Sequence, residues 1–188
     1  MTIDIQTILI ASATTLYFIL PAYFSNGAGL VFGGGIPVDF RKSDSKGNRW
    51  IGDGVTWRGF IAGTLIGTLT GAVQGFFAPE ILSNFGQYII TPMAADVSSG
   101  ILIGFLLGFG ALLGDALGSF VKRRLGIGRG KPAPILDQLD FIIVALVLVS
   151  LVIEVNLLFI TLAIALTLII HLLTNTCAYL LGLKDVWY

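Results

Sequence analysis

Long uninterrupted apolar runs decide what this chain can fold into. Apolar windows fall at about residues 5–23, 56–78, 97–121, 135–153 and 155–183, and a helix needs about 20 such residues to cross a hydrocarbon core about 30 Å thick. The break between the last two windows, around Glu154 and Asn156, is short. Inside lipid every backbone polar group must find its partner within the protein, so helices are the expected elements. The expectation is an all-α integral membrane protein, a single transmembrane domain over residues 1–188 built as a bundle of about five transmembrane helices. Composition agrees, with a mean hydropathy of +0.91 and 12% charged residues, against roughly 25% in a soluble domain.

The first window lacks a positively charged start and a small-residue cleavage pattern, so it reads as a span and not as a removable signal peptide. The lone Cys177 lies in a late apolar stretch, where a free thiol acts as a small hydrophobe. It says nothing about redox compartment.

The basic residues fall in two places. Arg41, Lys42, Lys46, Arg49 and Arg58 follow the first window, and Lys122, Arg123, Arg124, Arg129 and Lys131 follow the third, with Lys184 in the tail. An odd number of spans puts both loops, about 24–55 and 122–134, on one side with the C-terminus. The positive-inside rule makes that side cytoplasmic and the N-terminus external. Topology and contact with anionic headgroups are one reading of such cations. The same loops and adjoining helix ends also carry Asp39, Asp44, Asp53, Asp115, Asp137 and Asp140, and acidic residues contribute little to topology. The two loops are therefore the expected active site.

Gly59, Gly63, Gly67, Gly71 and Gly75 recur every fourth residue in the second window. At about 3.6 residues per turn they trace a slow spiral along which another helix can approach closely. Gly100, Gly104 and Gly108, then Gly110, Gly114 and Gly118, form similar tracks in the third. The second and third helices are expected to pack backbone to backbone and gather both charged loops at one end. Pore-lining or hinge glycines would be the transport reading, but no inverted repeat of short broken helices accompanies them.

Asp115 sits inside an apolar window, where a charge costs roughly 2.5 to 3.5 kcal/mol on insertion scales. It shares a helix face with Ser119 and Lys122, four and seven residues on, so a cation or metal can meet it there. Asp137 and Asp140, three apart at the start of the fourth helix, point to the same side. They fit either helix-start anions, favoured by the macrodipole, or hard-oxygen ligands for Mg²⁺. Asp115 arriving from the preceding helix favours the metal set Asp115, Asp137 and Asp140. In the first loop, Asp53, Thr56 and Arg58 bring a carboxylate, a hydroxyl and a guanidinium to the mouth of the second helix, where glycine-rich backbone and the helix dipole suit a phosphate. Walker, GxSxG and HExxH patterns are absent. The only histidine, His171, lies mid-span with Asn175 four residues on and reads as an interhelical hydrogen-bonding group.

The blocks GDALGSFVKRR and RGKPAPILDQLD, with GDGVTWRG in the first loop, resemble the CDP-archaeol synthase family, CTP-dependent cytidylyltransferases related to phosphatidate cytidylyltransferases. The resemblance covers both loops and their helix ends, roughly a third of the chain. It implies Mg²⁺-dependent transfer of CMP from CTP to an isoprenoid ether lipid phosphate, releasing pyrophosphate. Ser119, Lys122, Arg123, Asp137 and Asp140 match its signature. Asp115, Lys122, Arg123, Asp137 and Asp140 are then the expected catalytic residues, and Asp53, Thr56, Arg58, Ser119, Arg124 and Lys131 the expected substrate contacts. The phosphatidate enzymes have a histidine and paired glycines where this chain has Pro132 to Leu136, and an arginine where it has Gln138. That departure points away from phosphatidate as substrate. Archaeal relatives often carry a lysine where this chain has Val55.

A CDP-alcohol phosphotransferase is the alternative enzyme, but Asp115 is followed by Ala116 without that family's alanine–arginine pair at its spacing. A small transporter is the alternative from another class, and helices one and four have few polar residues for a pathway. The bilayer, CTP and a lipid phosphate are the expected partners. No nucleic-acid partner is expected, and oligomeric state is left open.

Overall fold

The computed structural model describes residues 5–45, 47–128 and 131–182, without the side chain of Ala178. Lys46, Arg129, Lys184 and the end of the fifth predicted span at residue 183 lie outside these. Five α-helices follow in order: α1 (Ile5–Val31), α2 (Trp57–Phe85), α3 (Val97–Arg124), α4 (Leu136–Val149) and α5 (Leu157–Leu180), with a 3-10 turn at Gly86–Tyr88. α1, α2 with its 3-10 turn, α3 and α5 are long and apolar enough to cross a membrane. α4 has 14 residues, a rise of about 21 Å, and falls short of a hydrocarbon core of about 30 Å.

The glycine tracks do what their spacing requires. A Cβ on Gly67 would come within 2.8 Å of the Gly108 Cα, and one on Gly104 within 2.7 Å of the Gly71 Cα. α2 and α3 therefore touch through their backbones. On the other side of α2, Ile61, Leu65, Leu69 and Val73 repeat with the same period and stay exposed, which is the face a lipid-embedded helix turns outward. α4 packs on α3 in the same way, with a Cβ on Gly110 2.7 Å from the Ala145 Cα. The apolar core lies between α1, α3, α4 and α5. Phe18 meets Phe159 edge to face at 5.2 Å, and Tyr23 meets Phe141 at 5.3 Å.

Two helix ends differ from expectation. α1 continues to Val31, well beyond residue 23, because tertiary contacts hold a segment whose Ser25, Asn26, Gly27 and Gly29 look loop-like. Ser25 donates its hydroxyl to the Gly108 carbonyl at 2.8 Å, and Gly29 admits the side chain of Leu112. α2 likewise runs on to Phe85, carrying Pro79 within it. At the far end of the bundle, Thr91 bonds Thr14 at 2.7 Å and Asn156 reaches the Ile90 carbonyl at 2.9 Å. At the near end, the C-termini of α1 and α3 meet the N-termini of α2 and α4. Both charged loops are there.

Candidate active site

The loop between α1 and α2 is shaped by two isolated bridges, Pro37 with Thr56 and Ser43 with Arg49. At its centre lies Asp39, with a side chain only 2% exposed. Its Oδ1 accepts from Arg49 Nη2 at 2.7 Å and from the Arg41 backbone N–H at 3.0 Å. Its Oδ2 accepts from Arg49 Nε at 3.3 Å and from the N–H groups of Ile51 and Gly52 at 3.0 and 2.9 Å. Burial pushes this carboxyl up, but the Arg49 fork and the three backbone donors outweigh it and hold it well below the usual range.

The loop is joined to α3 at two points. Arg124 bonds Asp44 at 2.5 Å and lies over the rings of Trp50 and Phe120 at 5.3 and 5.0 Å. Arg123 donates Nε to the Ile51 carbonyl at 3.2 Å and Nη1 to the Ile127 carbonyl. Arg124, expected to contact substrate, is thus occupied as a strap between loop and helix. Thr56, also expected there, is buried and caps α2 by accepting from the Gly59 N–H at 3.2 Å.

Below the loop, Lys122 meets both oxygens of Asp137, at 2.8 and 3.1 Å. Asp137 Oδ2 also accepts from the Ala133 N–H at 2.9 Å, tying down the turn before α4, where Ile135 has a φ of +69°. Asp137 therefore serves both as a helix-start anion and as the partner of Lys122. Asp140 faces α3 at Gly118, where an added Cβ would collide with its carboxylate. Asp115 has no hydrogen bond or ion pair among the described residues, yet it lies close enough to Asp137, Asp140 and Lys122 for their charges to act on one another. Among the described residues no three potential ligands stand together closely enough to hold a metal ion. Of the expected three-aspartate set, Asp137 is engaged by Lys122 and the Ala133 N–H.

Several hollows adjoin these groups. A cavity of about 240 Å³ between α1, α2 and α3 is lined by Asn26, Gly29, Thr56, Gly59 and Asp115. A basin of about 320 Å³ is lined by Arg49, Gly52, Asp53, Arg123 and Gly128. An apolar groove of about 480 Å³ runs between α3 and α4 past Leu117, Gly118, Val121, Leu139 and Asp140. Arg58 is exposed in the first turn of α2, Lys131 is exposed beyond α3, and Ser119 is half-buried on α3. Asn26 and Asp39 were not expected in the site. Asn26 hides in the stretch of α1 that reads as a loop, and Asp39 acquires its role from partners at residues 41, 49, 51 and 52 that no local spacing reveals.

A family model described as CarS-like, CDP-archaeol synthase, matches residues 5–188. The chain belongs to the CDP-archaeol synthase family. It is 47% identical to the CDP-archaeol synthase of Methanocaldococcus jannaschii over 93% of this chain and 96% of that one. It is 53% identical to that of Methanothermobacter thermautotrophicus over 92% of each. A solved structure described as an intramembrane enzyme for archaeal membrane lipids biosynthesis superposes with a TM-score of 0.70 at 35% identity, covering 85% of this chain and 91% of that one. The match separates this membrane transferase family from both alternatives, the CDP-alcohol phosphotransferase and the transporter.

Proposed function

We propose that this protein transfers CMP from CTP to 2,3-di-O-geranylgeranylglyceryl phosphate, an isoprenoid ether lipid phosphate, at the cytoplasmic face of the cell membrane, giving CDP-archaeol and pyrophosphate. One observation carries the reading: Asp140 lines the apolar groove and Asp115 the polar cavity, and the two carboxylates lie near enough for their charges to act on one another. A lipid chain along α3 and α4 brings its phosphate to the same few side chains that a nucleotide reaches from the loop side.

The reaction itself asks for little proton chemistry. A phosphate monoester has a second pKa near about 6, so at neutral pH an oxygen of the lipid phosphate attacks the α-phosphorus of CTP unaided. A new P–O bond forms as the bond to the β-phosphate breaks, and pyrophosphate leaves. The obstacle is repulsion between two polyanions. Lys122, held by Asp137, and Arg123, held by two backbone carbonyls, supply fixed positive charge against it. Arg58 and Lys131 add exposed cations at the rim.

Asp115 and Asp140 fit Mg²⁺ better than a three-carboxylate cage would, since this ion is ordinarily held by one or two carboxylates together with substrate phosphates. Both carboxylates lie outside any ion pair among the described residues, in keeping with that donor set. Bound there, Mg²⁺ would neutralise phosphate charge and align the reacting groups.

Pyrophosphate release by the purified protein, with each nucleoside triphosphate and with and without lipid phosphate and Mg²⁺, tests the proposal. Release is expected only with a cytidine nucleotide, lipid phosphate and Mg²⁺ together. Asp115→Asn and Asp140→Asn should lower turnover at least about ten-fold while remaining folded. Folded Asn variants with normal turnover and normal Mg²⁺ dependence would exclude the metal assignment.

A further inference from the structure

We infer that Asp39 is a positioning residue for Arg123, acting through the single peptide group that joins Ile51 to Gly52. The inference rests on the reading above, in which Arg123 meets substrate phosphate.

A peptide group is a rigid plane with an N–H at one edge and a C=O at the other. In the Ile51–Gly52 peptide the N–H, which belongs to Gly52, donates to Asp39 Oδ2 at 2.9 Å. The C=O, which belongs to Ile51, accepts from Arg123 Nε at 3.2 Å. Fixing one edge therefore aims the other. Asp39 adds a second restraint one residue earlier, through the Ile51 N–H at 3.0 Å. Its own orientation is set by the two-point contact with Arg49, whose Nη1 continues to Asp53 at 2.9 Å. A charged acceptor at one end of such a chain polarises the peptide and strengthens the bond at the other.

Gly52 has a φ of +108°, a conformation that a side chain would strain, and a Cβ there would lie 3.5 Å from Arg123 Nε. The guanidinium thus packs over bare backbone that Asp39 holds flat. Arg123, Arg49, Gly52 and Asp53 share the wall of one basin. With Nε pinned to the Ile51 carbonyl and Nη1 to that of Ile127, the guanidinium keeps its remaining donors in a known direction, which is what recognition of a phosphate by a planar fork needs.

The test is a double-mutant cycle on the full-length protein in detergent, following pyrophosphate release with CTP and lipid phosphate. Asp39→Asn is expected to raise KM for CTP or for the lipid phosphate by about ten-fold, with the folded fraction unchanged. In an Arg123→Ala background the same change should cost less than about two-fold, because the group it positions is already gone. Equal losses in both backgrounds, or a fall in kcat with KM unchanged, would overturn the inference and leave Asp39 a loop brace only. Normal kinetics in Arg123→Ala itself would instead remove Arg123 from the site, a separate failure. If Asp39→Asn does not fold, Arg49→Ala provides the cycle in its place. It leaves three backbone donors on Asp39, and it should show the same dependence on Arg123.

Discussion

Side chains at the near end of the bundle divide by what they could be known from. The spacing of Asp115 and Lys122 on one face of α3 was legible, but Lys122 pairs with Asp137 from α4 and not with Asp115. The tie of Arg124 was not legible, since its partner Asp44 lies 80 residues away in the chain and no spacing announces that pair. Thr56 has a role the spacing left open: a hydroxyl before an apolar helix serves equally as a cap or as a ligand, and here it caps α2 while lining the polar cavity. On the proposed reading, Gly118 is a glycine used for chemistry as well as packing. Its missing Cβ makes room for the Asp140 carboxylate, so Gly118→Ala should displace that group and lower turnover about ten-fold or more while costing only about 1–3 kcal/mol of stability. Parallel thermal melts and pyrophosphate assays would show the split. Asp39 makes a prediction about acid. Its carboxyl is held below the ordinary 3.8 in the folded loop, so the unfolded chain takes up the proton first as pH falls. Its stabilising contribution is complete above that ordinary value and is lost as pH drops toward the folded one. The melting-temperature gap between the wild type and Asp39→Asn should therefore be constant near neutrality and close below about pH 4.

Helices as units were easier to find than to terminate. The five apolar windows correspond to α1 to α5, yet α1 extends to Val31 and α4 is confined to Leu136–Val149. The reason is that hydropathy reports where lipid is tolerated, while helix ends answer to caps and neighbours. Gly27 and Gly29 weaken a helix in isolation, but contacts from α2 and α3 keep α1 wound. The glycine repeat was the most informative signal of all, because its only economical use is close backbone contact. Gly67→Leu should force α2 from α3 and markedly lower the melting temperature in detergent. Leu69→Ala, on the lipid-facing side two residues away, should change it little. Similar melts for the two variants would mean that the glycine face is not the packing face.

For the whole molecule, the decisive property is that both basic loops cluster at one end, with the ties from Arg123 to Ile51 and from Arg124 to Asp44 crossing between them. On the proposed reading, a single side of the membrane then holds the reacting groups. In a Cys177→Ser background, cysteines placed at Ser45 and at Glu80 should be labelled from opposite faces of sealed vesicles, Ser45 from the cytoplasmic one. Labelling of both from one face would overturn the orientation proposed from the positive-inside rule.

The groove between α3 and α4 leads further. Its outer edge carries the exposed side chains of Leu117, Val121, Ile135 and Ile143, so on the proposed reading it opens sideways onto acyl chains and not upward into water. A substrate admitted by such a doorway is met by diffusion in two dimensions. Its effective concentration is its mole fraction within the leaflet. Diluting the lipid phosphate with inert lipid at constant bulk amount should slow turnover, whereas doubling the number of vesicles of fixed composition should not raise the rate per enzyme. The nucleotide, arriving from water, should obey ordinary volume concentration, so one enzyme would read its two substrates on two different scales.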